Sequence, residues 1–365
     1  MSTYIFKRLA LVIPTLFAIL TVNFFVIQLC PGGPVEQMIA RIQGEERSVL
    51  ERAGGSSQDE IKVVQSSLDN MGGYRPGAHA DPELVERIRR YYGFDKPLLE
   101  RYWAMLRDFS VFRFGESFYQ DKTILELVRE KMPVSVSLGL WTTLISYVVS
   151  IPLGIRRAVK AGFSFDAWAG FVVVAAGAVP TFLFAILLVI LFAGGSYWSV
   201  FPLSGLTSPD FESMSAIGKM ADYLWHMALP VFSLVIGGFA GMTQLTRNCF
   251  LDEIRKQYVA TARAKGLTER RVLYGHVFRN AMLIFIAGFP GAFLGLFFTG
   301  SLLVEVIFSL DGLGLMGFEA TMQRDYPLMF ATLYLSTLLG LVVKILSDLT
   351  YVLVDPRIDF RSLQK

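Results

Sequence analysis

The chain has 365 residues, of which 53% are hydrophobic and only 18% are charged, and its mean hydropathy is +0.48. Soluble domains carry about 25% charged residues. Because the apolar residues of this chain also form long blocks, the composition excludes an ordinary soluble enzyme. The high aromatic content excludes intrinsic disorder. The 34 basic and 31 acidic residues nearly cancel, and two cysteines and three histidines provide little for a disulfide framework or a metal centre.

Six apolar stretches predict six transmembrane helices. A hydrocarbon core of about 30 Å requires about 20 apolar residues at about 1.5 Å each. The first five stretches contain no Asp, Glu, Lys or Arg, whereas the sixth contains Lys344 and Asp348 one helical turn apart, which favours a structural ion pair over a proton relay. The predicted spans are residues 9–29, 132–155, 167–193, 223–246, 280–304 and 326–353.

The basic residues predict which loops face the cytoplasm. They number 2 before the first span, 3 between the second and third, 8 between the fourth and fifth, and 3 after residue 355. The opposite short loops hold only Lys219 and Arg324. The positive-inside rule therefore predicts a multi-pass membrane protein with both termini cytoplasmic.

Residues 1–30 are predicted to form an uncleaved anchor helix, because the apolar run exceeds a signal-peptide core and no small-residue cleavage site follows. Residues 31–131 are then predicted to lie on the outer, periplasmic side of the membrane, opposite the two termini. Within them, residues 42–80 are polar and rich in Gly, Ser and Glu, which predicts an irregular or extended lobe. A helix is predicted to start at Asp81, and a second short helix to cover 98–109. The remaining spans form a five-helix core, 132–354, and residues 355–365 a cytoplasmic tail.

Several catalytic motifs are missing from the sequence. There is no HExxH zinc motif, no GxSxG nucleophile elbow and no GxxxxGK[ST] phosphate-binding loop. No catalytic residue and no metal ligand is therefore assigned, and no cofactor is expected to bind this chain. If ATP drives the protein, another subunit must bind it.

The longest predicted cytoplasmic loop, residues 247–279, is strongly basic and reads as two short helices. Leu251, Ile254, Tyr258 and Ala262 form one apolar stripe at helical spacing. Lys265 and Gly266 are typical of a helix end, Thr268 can cap the next helix, and Val272, Leu273 and Val277 form a second apolar face. Such a helix–glycine–helix unit could enter a groove on a soluble partner or lie on anionic lipid. The residue pattern alone leaves both interpretations open.

The run from Tyr258 to Leu267 resembles the EAA loop of ABC-importer permeases in its peptide-transporter form, and residues 276–281 extend the match. Further similar segments occur along nearly the whole chain, at residues 31–34, 92–97, 114–117, 305–308, 312–314, 324–327 and 355–358. The combined pattern resembles the dipeptide/oligopeptide permease family. Asp311, the lack of a proline soon after Ala281 and the enlarged 42–80 segment are similar to the Yej-type B subunits of peptide and microcin C importers.

The resemblance implies an all-α membrane protein with the six-helix fold of a type I ABC-importer permease. It further implies a second homologous permease subunit, a cytoplasmic ABC ATPase and a periplasmic binding protein that delivers peptide. ATP and Mg²⁺ would bind in the ATPase, whose two nucleotide-binding domains are typically fused in Yej-type systems. The principal alternative is an ion-coupled secondary transporter acting without an ATPase, which would need internal repeats and ion ligands at the membrane midplane.

The same resemblance assigns roles to individual residues. It places ATPase coupling, within residues 258–281, on Tyr258, Ala260, Ala262, Ala264, Lys265, Gly266, His276, Arg279 and Asn280. It places a periplasmic gate or docking site on Glu305, Gly312, Gly314, Arg324 and Asp325. Ala262 is expected on the face that enters the ATPase. Glu305 is expected either to anchor the following segment or to contact the binding protein.

Overall fold

The computed structural model describes residues 2–29, 95–120, 122–194, 197–298 and 302–354. These residues are almost entirely helical, with one isolated antiparallel bridge between Glu116 and Thr123. The predicted all-α class is therefore confirmed. The expected helix start at Asp81, the polar stretch 42–80 and the tail 355–365 lie outside the described residues.

The helices are numbered here in chain order. The first five are α1 (Ser2–Leu29), α2 (Leu98–Ser110), α3 (Ile124–Val159), α4 (Ser164–Ala178) and α5 (Thr181–Phe192). A 3₁₀ turn, Phe211–Ser213, precedes α6 (Ala216–Ile254), α7 (Gln257–Ala264) and α8 (Glu269–Val272). A π-helical turn, Leu273–Val277, joins α8 to α9 (Phe278–Ala281), which is followed by α10 (Leu283–Phe298), α11 (Leu302–Ile307), α12 (Leu313–Gln323) and α13 (Tyr326–Val354).

Among the described residues, four helices, α1, α3, α6 and α13, are long and apolar enough to cross a membrane, and two bent pairs bring the number to six if each pair is one span. The span predicted over 167–193 is divided into two helices, α4 and α5, which meet at 88°. Pro180 explains the break, since the residue before a proline is driven out of the helical region. Val179 accordingly has extended backbone angles, φ −85° and ψ 121°.

The chain forms two compact units. The first comprises Met1–Val12, Glu126–Phe318 and Leu335–Lys365, and the second comprises Ile13–Leu125 and Glu319–Tyr334. The boundaries fall inside α1, α3, α12 and α13. These helices therefore contribute residues to both units.

The membrane core of the first unit is built mainly from α3, α5 and α6, with Leu138, Ala185 and Leu234 buried among apolar neighbours. Small residues let these helices approach closely. A methyl group added at Gly154 of α3 would lie 2.5 Å from the Thr246 side chain of α6, so no side chain fits there.

Aromatic side chains form the core of the second unit. The ring centroids of Tyr102 in α2 and Phe24 in α1 lie 5.4 Å apart, and the Tyr102 hydroxyl lies 2.7 Å from Thr21 Oγ1. Phe24 stacks on Phe330 of α13. The short helix predicted over 98–109 is thus confirmed, and its Tyr102 and Phe109 side chains are buried.

Close helix contact at Gly154 yields a testable expectation. Gly154→Ala should lower the thermal unfolding temperature of the detergent-solubilised protein, because overpacking a well-filled contact costs about 1–3 kcal/mol. The matched control is Gly241→Ala, at a helical glycine of α6 whose added methyl group would meet nothing within 4 Å. That change should leave the unfolding temperature equal or higher, since Ala favours a helix over Gly by about 1 kcal/mol. Equal behaviour of the two variants would contradict the close-contact assignment.

Candidate functional site

Residues 255–282, which connect α6 to α10, form a projecting helical elbow. The predicted loop started at 247, but α6 continues as a helix to Ile254. The first limb, α7, ends in a Schellman-type cap: Gly266 N–H donates to the Arg263 carbonyl at 2.9 Å, and Leu267 N–H to that of Ala262 at 3.4 Å. Gly266 has φ +79°, which confirms the predicted left-handed glycine.

The second limb of the elbow runs through α8, the π-helical turn and α9. Thr268 occupies the N-cap position as predicted, although its side chain makes no capping hydrogen bond. Glu269 lies in the first turn and forms a two-pronged ion pair with Arg263 of α7, with N–O distances of 2.8 and 3.0 Å. This exposed pair joins the two limbs across the Gly266 turn.

The apolar faces of both limbs pack on the membrane helices of their own unit. Val259, Val272 and Val277 are buried together with Phe250 of α6 and, from α3, Ile155. This apolar cluster fixes the position of the elbow at the ends of α3 and α6.

The expectation that Ala262 faces the ATPase is wrong, because its side chain is only 6% exposed and lies in the apolar cluster under the elbow. An apolar stripe in a sequence indicates that its residues are buried, but not which surface buries them. Here they are buried against helices of the same chain. The exposed small residues of the limb are instead Ala260 and Ala264, one turn apart, followed by Lys265 and Gly266. These residues form the free face of α7.

A buried carboxylate ties the elbow to the membrane helix. Glu253, in the last turn of α6, is only 7% exposed and accepts a hydrogen bond of 2.7 Å from the Tyr258 hydroxyl. Asn280 Nδ2 donates in turn to that hydroxyl at 3.1 Å, and Lys256 Nζ lies 2.5 Å from the second carboxylate oxygen. The structure therefore brings together Tyr258 and Asn280, which were assigned from sequence, around Glu253, which was not.

The hydrogen bonds of this group, Glu253–Tyr258–Asn280, persist at physiological pH. Burial and the neighbouring Glu253 carboxylate raise the pKa of Tyr258 to about 12. The phenol therefore keeps its proton and continues to donate to the carboxylate. The group links the end of α6 to α7 and to α9, the helix that leads into α10. His276 and Arg279, the other residues assigned to coupling, are exposed on the second limb.

A second buried carboxylate was also missed from sequence. Asp166, in the first turn of α4, accepts from Arg247 of α6 at 2.8 and 2.5 Å and from Arg157 of α3 at 3.1 Å. Arg157 also donates to Gln244 of α6 at 3.2 Å. Three helices are therefore joined by one carboxylate. The only sequence signal was an acidic residue at the start of an otherwise apolar helix.

Glu305, Gly312 and Gly314 lie together in the first unit. The Glu305 side chain is fully buried, and its carboxylate accepts from the Leu315 N–H at 2.7 Å. A methyl group on Gly312 would lie 2.5 Å from the carboxyl carbon, so glycine is needed for this approach. Ser135 of α3 accepts from the Leu313 N–H at 2.8 Å. Glu305 thus holds the start of α12, the placement expected of an anchor.

Asp325 and Arg324 belong to the second unit. Asp325 is 1% exposed and caps α13 by accepting from the Leu328 N–H at 3.3 Å. It also accepts from the Phe118 N–H at 3.1 Å and from the Ser117 hydroxyl. The carboxylate therefore holds residues 117–118 against the start of α13. Arg324 is exposed and has φ +53°.

One further ion pair lies in the sixth predicted span. Asp348 of α13 lies 2.9 Å from Arg8 of α1. The pairing expected from sequence was with Lys344, one turn away on the same helix. The observed contact instead joins the first and last long helices of the first unit.

Membrane-length helices with a packed helical elbow at one end are the features of an integral membrane protein. Residues 150–360 match the family described as "Binding-protein-dependent transport system inner membrane component". This match covers more than half of the chain, and the chain belongs to that family.

Relatives with similar sequences are also named as permeases. The chain is 56% identical over 364 residues to "Inner membrane ABC transporter permease protein YejB" of Escherichia coli O157:H7, covering 99% of this chain and 100% of that protein. It is 52% identical to "Peptidoglycan transport system permease protein YejB" of Agrobacterium fabrum (strain C58), covering 99% of each. It is 29% identical to "Oligopeptide transport system permease protein AppB" of Bacillus subtilis (strain 168), covering 99% of this chain and 100% of that one.

A solved chain of the inward-facing MetNI methionine ABC transporter is also similar, with a TM-score of 0.47 and 13% sequence identity. The match covers 63% of this chain and 97% of that one.

The family and the relatives establish the class. The protein is a multi-pass inner-membrane permease subunit of an ABC transporter, of the kind that works with an ATPase and a substrate-binding protein. The Yej-type resemblance read from the motifs is confirmed.

Removing the buried hydrogen bonds at the elbow should loosen it. Tyr258→Phe and Glu253→Ala should each increase hydrogen exchange of residues 255–282, because a hydrogen bond to a charged group contributes about 1.5–3 kcal/mol. Glu269→Gln is the matched control, since its ion pair with Arg263 is exposed and such pairs contribute about 0–1 kcal/mol. Exchange that rises equally in all three variants would show that Glu253 has no special role.

Proposed function

We propose that the protein is the membrane subunit of an ATP-driven importer of peptides. The relatives named for oligopeptide and peptidoglycan transport support peptides or peptide-containing fragments as the cargo. The observation that carries the coupling part of the proposal is the elbow: a packed helical unit hydrogen-bonded to the end of α6 and covalently continuous with α10. A partner that moves the elbow would move both membrane helices.

The ATPase docks on the free face of the elbow. Ala260 and Ala264 allow a close approach of the partner backbone, and Gly266 and Lys265 continue this face at the turn. His276 and Arg279 lie exposed on the second limb. The Glu253–Tyr258–Asn280 group transmits the displacement, because it fixes α7 to α6 on one side and to α9 on the other. ATP and Mg²⁺ bind in the ATPase, and this chain hydrolyses nothing itself.

The remaining partners follow from one translocation path shared between two permeases. A second, homologous permease subunit completes the path, and a periplasmic binding protein delivers the peptide at the end opposite the elbow. Both termini are cytoplasmic. The two nucleotide-binding domains of the ATPase are fused in one chain. Glu305 acts as a fixed anchor for the segment that leads into α12, since its carboxylate is buried and used internally.

The glycine turn of the elbow provides a direct test of coupling and of cargo. In proteoliposomes containing the complete transporter, labelled peptide should accumulate when ATP is supplied and not when only an ion gradient is imposed. Gly266→Val should lower ATP-driven uptake, because a branched residue at φ +79° costs about 1–2 kcal/mol and misaligns the limbs. Gly275→Val is the control, at another exposed elbow glycine with no positive φ and with open space around it.

Three outcomes would count against the proposal. If ATP drives the uptake of none of the tested peptides, the proposal that peptides are the cargo would be rejected. Uptake driven by an ion gradient alone would favour the secondary transporter. Unchanged uptake in Gly266→Val, with normal amounts of permease in the membrane, would reject the elbow as the coupling element.

The proposed orientation can be tested by cysteine labelling. In a background with Cys30 and Cys249 replaced by Ser, a membrane-impermeant maleimide should label Glu212→Cys in intact spheroplasts. It should label Thr268→Cys only after the membrane is opened. Both positions are exposed, and they lie at opposite ends of α6. Labelling of Thr268→Cys in intact spheroplasts would reverse the topology that the basic residues predict.

A further inference from the structure

The turn between α3 and α4 presents cations and aromatic rings side by side. The Arg156 guanidinium lies 4.8 Å from the centroid of the Phe165 ring, and Lys160 Nζ lies 5.4 Å from the same centroid. Lys160 follows the last residue of α3, one helical turn after Arg156, and both cations are exposed. Two positive charges are therefore held over one ring at the surface of the first unit.

These two charges differ from four basic residues of α3, α6 and the elbow that have an acidic partner. Arg157 and Arg247 share the carboxylate of Asp166, Lys256 pairs with Glu253, and Arg263 pairs with Glu269. Arg156 and Lys160 form no ion pair with any residue that the structure describes. The site thus presents two uncompensated positive charges.

Next to the cations lies an apolar groove. Trp168, one turn after Phe165 on α4, is 70% exposed and meets Phe171 edge to face at 6.2 Å. Together with Ala167 these rings line a shallow groove of about 330 Å³. Phe163, in the turn itself, is 69% exposed. Farther along α4 the exposed surface remains apolar, through Val172 and Val174.

We propose that this surface, formed by Arg156, Lys160, Phe165, Trp168 and Phe171, binds one anionic phospholipid. The phosphate lies between the two cations, and an acyl chain lies in the groove beside Trp168. Basic groups at the end of a membrane helix bind anionic headgroups, and tryptophan favours the membrane interface. The continuous apolar face of α4 is what favours a lipid over an acidic protein surface, which would leave these rings exposed.

The site also has a place in the architecture. Ala158, two residues before Lys160, is buried in the apolar cluster under the elbow. Asp166, the residue after Phe165, binds Arg157 and Arg247 and so fixes the start of α4. A bound lipid would therefore lie where α3 and α4 meet, at the same end of the first unit as the elbow. The assignment does not depend on the nature of the transported substrate.

Quenching of tryptophan fluorescence by brominated lipid tests the site. The full chain is placed in phosphatidylcholine nanodiscs that contain rising fractions of brominated phosphatidylglycerol or, for reference, brominated phosphatidylcholine. The signal of the site is the part of the quenching that disappears in Trp168→Phe. For wild type we expect that part to show a preference of about 30-fold for phosphatidylglycerol, from two charges near the membrane surface.

Matched variants identify which charges matter. R156Q/K160Q should reduce the preference to a value near 1, while R156K/K160R, which keeps both charges, should retain it. R255Q/K265Q removes the same charge from exposed elbow residues and should leave it unchanged. A wild-type preference near 1 would overturn the proposal, as would equal losses in R156Q/K160Q and R255Q/K265Q. So would an unchanged lipid preference in R156Q/K160Q with reduced ATPase co-purification, which would assign these cations to the protein partner.

Discussion

The burial of the elbow against its own membrane helices is the constraint on which the rest of the functional surface depends. Val259, Ala262 and Val277 occupy the space at the ends of α3 and α6, so the limbs cannot shift without exposing this cluster. That burial selects the opposite face of α7, with its small residues, as the face available to a partner. The hydrogen bonds and the ion pair of Glu253 then orient the elbow, whose position is already fixed by apolar packing.

Buried carboxylates join separate helices and loops at four places in the described part of the chain. Within the first unit, Asp166 joins three helices, Glu253 joins a membrane helix to the elbow, and Glu305 holds the start of α12. Within the second, Asp325 joins residues 117–118 to α13. Each of these carboxylates accepts hydrogen bonds, as a buried charge requires. In a molecule whose surfaces are mostly apolar, these contacts specify which segments meet, because apolar packing alone is weakly selective.

The sequence predicts the structural features that depend on residues close together along the chain better than those that depend on distant residues. Apolar length predicted the long helices, and local backbone chemistry predicted the Gly266 turn, because both are properties of neighbouring residues. Pro180 was visible in the sequence, but the apolar run around it did not show that the helices on either side would meet at 88°. Ala262 was placed on the wrong face, since periodicity identifies a buried stripe without its partner. Asp166 was missed because its partner Arg247, 81 residues away, becomes a neighbour only in the folded chain. Glu253 was missed because the local sequence does not show that this carboxylate is buried.

The length of α6 has a mechanical consequence. Its 39 residues correspond to a contour of about 58 Å, nearly twice the hydrocarbon thickness of about 30 Å. A rod of that length, tilted about one end, moves its other end by about 1 Å for each degree of rotation. A rotation of a few degrees at one end of α6 therefore displaces the other end by a few ångströms, with no change in the internal hydrogen bonds of the helix.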